Sequence, residues 1–217
     1  MKGEENLNVN VRLENGIIKQ TKDFTYLGSV IADDGRSDTE IRQRIGMAKT
    51  AFVRMRTLLS NMSLSIELRV RVLRCYVWSI FLYGAETWTI SAVMRNRIEA
   101  AEMWFYRRML RISWVAHVTN EEVLRRVGKG RELMATVRER QLRFIGHVMR
   151  EDDLEKIVIT GRIEGTRARG RQRIKYMDSL MKDVREMETV GELIRTTEDR
   201  GRWRTVIADV RRDMALR

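Results

Sequence analysis

The sequence predicts a mainly α protein, with a small N-terminal β-hairpin followed by a helical bundle and a basic helical C-terminal region. Three observations carry that prediction. Proline is absent and only 14 glycines interrupt 217 residues, so long helices are permitted and an all-β fold is disfavoured. Apolar residues recur at helical spacing from residue 39 onward. Period-two alternation, the mark of a half-buried strand, is confined to the first 31 residues.

Val11 to Leu13 and Ile17 with Ile18 are short extended pieces, and Glu14-Asn15-Gly16 between them is turn chemistry for a hairpin. Residues 24 to 31 then read as one half-buried strand ending at Asp34-Gly35. Such a fragment is an incomplete sheet with exposed edges, which implies that a larger sheet lies outside it. Asp33 and Asp34 follow an apolar pair, as do the metal-binding carboxylates of polymerases that use two Mg²⁺ ions. Those carboxylates sit at the tip of a hairpin whose strands are apolar on both sides. Here Gly35-Arg36-Ser37-Asp38 leads into a helix instead, so the pair is turn chemistry and no catalytic residue is assigned.

From Thr39, Ile41, Ile45, Ala48, Phe52, Met55 and Leu59 mark one helix face, while Arg42, Lys49 and Arg56 recur every seven residues as a basic stripe on another. A second helix covers about 64 to 83. Its latter half, "CYVWSIFLY", is apolar all round, which predicts burial between partners. Gly84 breaks it. A third helix, about 92 to 112, turns Met94, Ile98, Ala101, Phe105, Met109 and Ile112 inward. After a break at 113 to 118, Thr119 or Asn120 caps a helix with Glu121 and Glu122 in its first turn. Further helices are expected at about 131 to 150, 174 to 188, 191 to 197 and from 201 onward, the last with Trp203, Ile207, Val210 and Met214 on one face.

A formal charge of +12, from 42 Lys and Arg against 30 Asp and Glu, makes a polyanion or an anionic surface the expected partner. The excess is +2 over residues 1 to 60, +4 over 61 to 119 and +6 over 120 to 217. Its densest run is "GRIEGTRARGRQRIK", 161 to 175, where Arg167, Arg169, Arg171 and Arg173 alternate with small residues that let a charged strand come close. Trp104, Tyr106, Arg107 and Arg108 interleave aromatic and basic groups, suited to stacking on bases and pairing with phosphates. The lone Cys75 makes neither an internal disulfide nor a cysteine zinc site and fits an intracellular compartment, nucleus or cytoplasm. His117 and His147 lack neighbours at ligand spacing, and no metal site is expected. No P-loop, dinucleotide fingerprint or nucleophile elbow is present, and no stretch is long and apolar enough to span a membrane.

Several of these segments together resemble the C-terminal part of the reverse transcriptase of non-LTR (LINE-type) retrotransposons. "FTYLGSVI" is similar to that family's primer-grip hairpin, "LRCYVWSIFLYGAETWT" to its central thumb helix, and "RRMLRISWVAHVTNEEVLRRV" to the stretch after it. "LRFIGHVMRED" with "GRIEGTRARGRQRIKYMDSL" is similar to the post-thumb segment, so the likeness runs from about residue 10 to 185. The resemblance implies a primer-grip hairpin at 1 to 36, a helical thumb at 37 to 115, and a basic helical region at 116 to 217 with a Gly-Arg linker at 161 to 173. It also implies that the catalytic Asp-Asp motif, the fingers and most of the palm lie upstream of residue 1. Mg²⁺ is then expected only for the full-length RNA-directed DNA polymerase, and the chain alone is expected not to be an enzyme. Its expected partners are the RNA template, the RNA–DNA duplex and the missing palm and fingers. Tyr26, Leu27 and Gly28 would grip the primer, and Arg42, Lys49, Arg56, Arg107, Arg108 and the Gly-Arg run would hold backbone. The rival expectation is a non-catalytic helical protein-interaction module derived from a retroelement.

Overall fold

A computed structural model describes residues 11–13, 16–18, 20–151, 153–161, 175–185 and 187–216. Two antiparallel hairpins come first. Strands β1 (Val11–Leu13) and β2 (Gly16–Ile18) pair with Val11 opposite Ile18, and β3 (Asp23–Tyr26) and β4 (Ser29–Ala32) with Asp23 opposite Ala32. The single strand expected over 24 to 31 is thus folded in half, as the likeness to a primer-grip hairpin implied. Leu27 (φ 47°) and Gly28 (φ 81°) both take left-handed backbone, the two-residue turn whose twist matches that of the strands it joins. β3 is exposed along its length rather than half-buried. After β4, the Gly35 N–H donates to the Ala32 carbonyl at 3.0 Å and the Arg36 N–H to Asp34 Oδ1 at 2.8 Å, so the Asp pair forms a turn as expected.

Helix α1 (Asp38–Arg54) breaks at Met55 and resumes as the single turn α2 (Arg56–Leu59). Its inward face is the expected one, with Ile41, Ala48, Phe52 and Leu59 buried. The second helix is three pieces on one axis: α3 (Ile66–Val72), capped by the Ser65 hydroxyl, a widened π segment (Leu73–Trp78), and α4 (Ser79–Phe81). Gly84 stops it at φ 70°. The expectation that 75 to 83 is enclosed on all sides is corrected: Val77, Trp78, Phe81 and Leu82 are buried, whereas Cys75, Tyr76 and Tyr83 are exposed. Neighbouring helices cover one side of this segment only, and Tyr76 and Tyr83 combine an apolar ring with a polar hydroxyl, which suits the open side.

Helix α5 (Ala92–Met109) starts where the Ser91 hydroxyl accepts from the Met94 N–H, and Met94, Ile98, Ala101, Phe105 and Met109 are buried against α1. A turn at Trp114–Ala116 leads to α6 (Asn120–Val127), whose cap is Thr119 accepting from the Glu122 N–H at 3.3 Å. Helix α7 (Leu133–Arg150) is the hub, touching α5, the Ala85–Thr87 turn and every later helix. These are α8 (Leu154–Thr160), α9 (Tyr176–Met181), α10 (Val190–Glu198) and α11 (Arg200–Leu216). Helix α8, where no element was expected, exposes Leu154, Ile157 and Val158; α9 stops well short of residue 188. Trp203, Ile207, Val210 and Met214 of α11 are buried, as their spacing predicts. Trp203 Nε1 donates to the Leu142 carbonyl at 3.0 Å, and a Cβ at Gly146 would collide with the Trp203 indole, so glycine is required for this close approach. Among the described residues no helix is long and apolar enough to cross a membrane.

Candidate nucleic-acid interface

The β3–β4 hairpin is fixed to the helices through its turn. The Tyr83 hydroxyl donates to the Leu27 carbonyl at 2.6 Å and Arg44 Nη2 to the Gly28 carbonyl at 2.5 Å. Arg44 is itself buried, paired with Glu40 one turn earlier at 2.6 Å and lying 4.4 Å from the centre of the Tyr83 ring. The other Glu40 oxygen accepts from the Val30 N–H at 2.6 Å. These bonds offset the cost of a non-glycine residue at Leu27 in left-handed backbone. They leave the side chains of Phe24, Tyr26, Leu27 and Ile31 facing solvent.

At the other end of α1 lies an open cleft of about 1630 Å³ between α1–α2, α5 and the turn after α5. Trp104 forms part of its wall, edge-on to Phe52 at 5.5 Å. The Lys49 ammonium and the Arg108 guanidinium each sit 5.2 Å from the Trp104 ring centre, a cation–π arrangement. Arg56, Arg107, Arg108, Arg111 and Arg131 line the cleft against one carboxylate, Glu99. Arg131 is paired with Glu99 at 2.9 Å, and Arg107 Nη2 donates to the Val118 carbonyl and to Asn120 Oδ1, which holds the following loop in place. Arg111 Nε donates to the Ser60 carbonyl at 2.9 Å and Ser60 Oγ to the Arg108 carbonyl at 3.1 Å, tying α2 to the end of α5. Arg56, Arg108 and Arg111 form no ion pair among the described residues. Trp114, 89% exposed, stands at the rim. The arrangement offers guanidinium groups without ion pairs among the described residues to phosphate and the exposed Trp114 indole to a base.

Beneath this surface the charges are paired. Arg138 of α7 donates from Nε to Asp183 Oδ2 at 2.8 Å and from Nη1 to Gln141 Oε1 at 2.6 Å, and Arg95 Nη2 reaches the same Asp183 oxygen at 2.5 Å. Gln141 Nε2 donates to the carbonyls of Ala85 and Trp88, and the Tyr176 hydroxyl donates to that of Glu86. Burial lowers the Arg138 pKa, against the pull of Asp183, and raises that of Tyr176. Glu102 of α5 accepts at Oε1 from the N–H groups of Glu132 and Leu133, at 2.8 and 2.9 Å, and so caps α7; Tyr106 adds a hydroxyl at 3.3 Å. Its Oε2 is buried without a hydrogen-bond partner among the described residues. Burial holds the Glu102 carboxyl up at about 7, although the backbone donors pull it down.

Of the residues singled out in the sequence, Arg56, Arg107 and Arg108 line the cleft, and Lys49, outside the lining, reaches the ring of its wall residue Trp104. Arg42 is exposed but lies outside its lining, because it stands two turns before Lys49 on unbroken helix, about 10 Å further from the cleft at 1.5 Å per residue. Tyr106, grouped with Trp104 as a stacking residue, is instead fully buried. The exposed side chains of Tyr26 and Leu27 and the turn at Gly28 are on the hairpin, apart from the cleft, and the Leu27 and Gly28 carbonyls are already occupied. Arg167, Arg169, Arg171 and Arg173 lie outside the described residues. Sequence reasoning missed Arg111, Trp114 and Arg131, whose approach depends on the turn after α5 rather than on helical spacing. Among the described residues no group of three or more His, Cys, Asp or Glu could hold a metal ion, and the Asp34 carboxylate is turned onto the Arg36 backbone.

No family model matches the chain, and no solved structure matches it. An uncharacterized transposon-derived protein of Caenorhabditis elegans is 25% identical over 195 residues, covering 85% of this chain and 70% of that protein. The similarity supports a transposon-related origin for the chain.

Proposed function

We propose that this chain is a nucleic-acid-binding C-terminal segment of a reverse transcriptase of the non-LTR retrotransposon type, and that the cleft between α1–α2 and α5 holds the template or template–primer strand. The observation that carries the reading is the cleft itself, with Arg56, Arg108 and Arg111, which form no ion pair among the described residues, beside Trp104 and Trp114. The transposon-derived relative is consistent with it. On this reading the chain contributes grip and not chemistry. Asp33 and Asp34 do not fit the Mg²⁺ site of the full-length enzyme, since the pair closes a turn and no third carboxylate stands with it among the described residues.

Fluorescence anisotropy with a labelled single-stranded RNA tests the proposal. Trp114→Ala should weaken binding by about 1–3 kcal/mol, the range for loss of one base-stacking aromatic. Because Trp114 is 89% exposed, the melting temperature should not move. Unchanged affinity in a Trp114→Ala, Arg108→Glu double variant would remove the cleft as the binding site. A second reading, a helical protein-interaction module, is favoured by the outward Phe24, Tyr26, Leu27 and Ile31 of the hairpin. Binding to a protein through that apolar face would be nearly insensitive to salt, whereas phosphate contacts weaken steeply with it.

A further inference from the structure

A second basic surface lies on the far side of α7. Helices α7 and α11 pack against each other along a groove of about 790 Å³. Arg143 and Arg150 of α7 and Arg200, Arg204, Arg211 and Arg212 of α11 line it. Glu139 bridges the walls, 2.6 Å from Arg143 and 2.9 Å from Arg211, and Arg212 pairs with Asp209 at 3.1 Å. Six guanidinium groups therefore face two carboxylates, a local excess of +4. Arg200 and Arg204 are exposed and form no ion pair among the described residues.

The groove differs in kind from the α1–α5 cleft, because its aromatic residue is not available. Trp203 is 3% exposed, and its Nε1 is bound to the Leu142 carbonyl. A ligand here meets charge but no ring to stack on, which suits a backbone whose bases are already stacked in a double helix. From Arg200 to Arg211, α11 advances about 17 Å at the helical rise of 1.5 Å per residue. One strand of a duplex presents roughly five phosphates over that length. The lining contains no lysine: its cations are arginines, whose planar fork pairs with phosphate oxygens two at a time.

We propose that the α7–α11 groove is a binding track for the phosphate backbone of a nucleic-acid duplex, separate from the cleft proposed above. Anisotropy with a labelled DNA duplex, titrated with salt, tests it. Arg200→Glu with Arg204→Glu should weaken duplex affinity roughly tenfold at low salt and shallow the log–log salt slope by about 2, the amount expected for two lost phosphate contacts. Arg200→Lys with Arg204→Lys should retain most of the slope. The decrement should be the same in an Arg108→Glu background, so this proposal and the cleft reading fail separately. A footprint on the unaltered chain gives a second readout: duplex should protect Arg200 and Arg204 from an arginine-modifying dicarbonyl. An unchanged salt slope, no protection of these arginines, or their protection by an acidic polyglutamate peptide that displaces the duplex would each overturn the proposal. The last outcome would assign the groove to an acidic protein segment.

Discussion

The arginines at the junction of α5, α7 and α9 and those of the two surface depressions are the same residue used in opposite ways. At the junction, Arg138 is 1% exposed and donates to Asp183, 45 residues away, and to Gln141 on its own helix. In the cleft and the groove, Arg56, Arg108, Arg200 and Arg204 are exposed, without carboxylate partners among the described residues. The first set holds segments together through buried ion pairs. The second contributes little to folding and is open to an anion. A net charge of +12 thus understates the distinction that matters, which is whether a guanidinium is paired inside the molecule or left for something outside it.

The sharpest way to break this comparison is Arg138→Met, which takes one of its guanidinium partners from the buried Asp183. It should cost about 3–5 kcal/mol in urea unfolding, as loss of one partner of a buried ion pair does. An unshifted midpoint would mean that the junction is not what joins α7 to α9. Glu102 gives the next largest effect. Burial pushes its carboxyl up to about 7 in the folded chain from an ordinary value of 4.5, so the folded state binds the proton more tightly. Stability from this group is therefore full below about pH 4.5, declines as pH rises to about 7 and levels off above that, a change of about 3 kcal/mol. Glu102→Gln should flatten the decline, as thermal melts from pH 4.5 to 8 would register. The smallest effect on stability is expected for Arg56→Ala: within about 0.5 kcal/mol of the parent, as for an exposed, unpaired residue. Its salt slope for nucleic acid should nonetheless drop by about 0.7 to 0.9, one phosphate contact.

Much of the fold was legible because helical spacing of apolar residues is a direct record of burial. Ile41, Ala48, Phe52 and Leu59, then Met94, Ile98, Phe105 and Met109, then Trp203, Val210 and Met214 are all buried as their periods require. Periodicity fails where a segment is apolar all round, since it cannot then say which side is covered; Cys75 and Tyr76 are exposed for that reason. It also fails at the hairpin, where alternation continues through Leu27 and Gly28 although the chain reverses there. Half of the candidate cleft was visible as the Lys49 and Arg56 stripe and the Arg107-Arg108 pair. Trp114 and Arg131 were not, because a turn and a helix start bring them in from positions with no common period. The Glu40–Arg44 and Arg138–Asp183 pairs were hidden for a different reason: a buried charged residue has the same letter as an exposed one.

The bonds that Arg44 and Tyr83 make to the hairpin turn have a mechanical consequence. Helix α1 grips the hairpin at Glu40 and Arg44 and presents Lys49 and Phe52 to the cleft wall. The stretch between Glu40 and Lys49 is unbroken helix, about 14 Å at 1.5 Å per residue. It behaves as a ruler. Anything seated on the outward strand of the hairpin is held at a set distance and rotation from anything seated against Trp104, and the break at Met55 falls beyond this span, where bending no longer alters the separation.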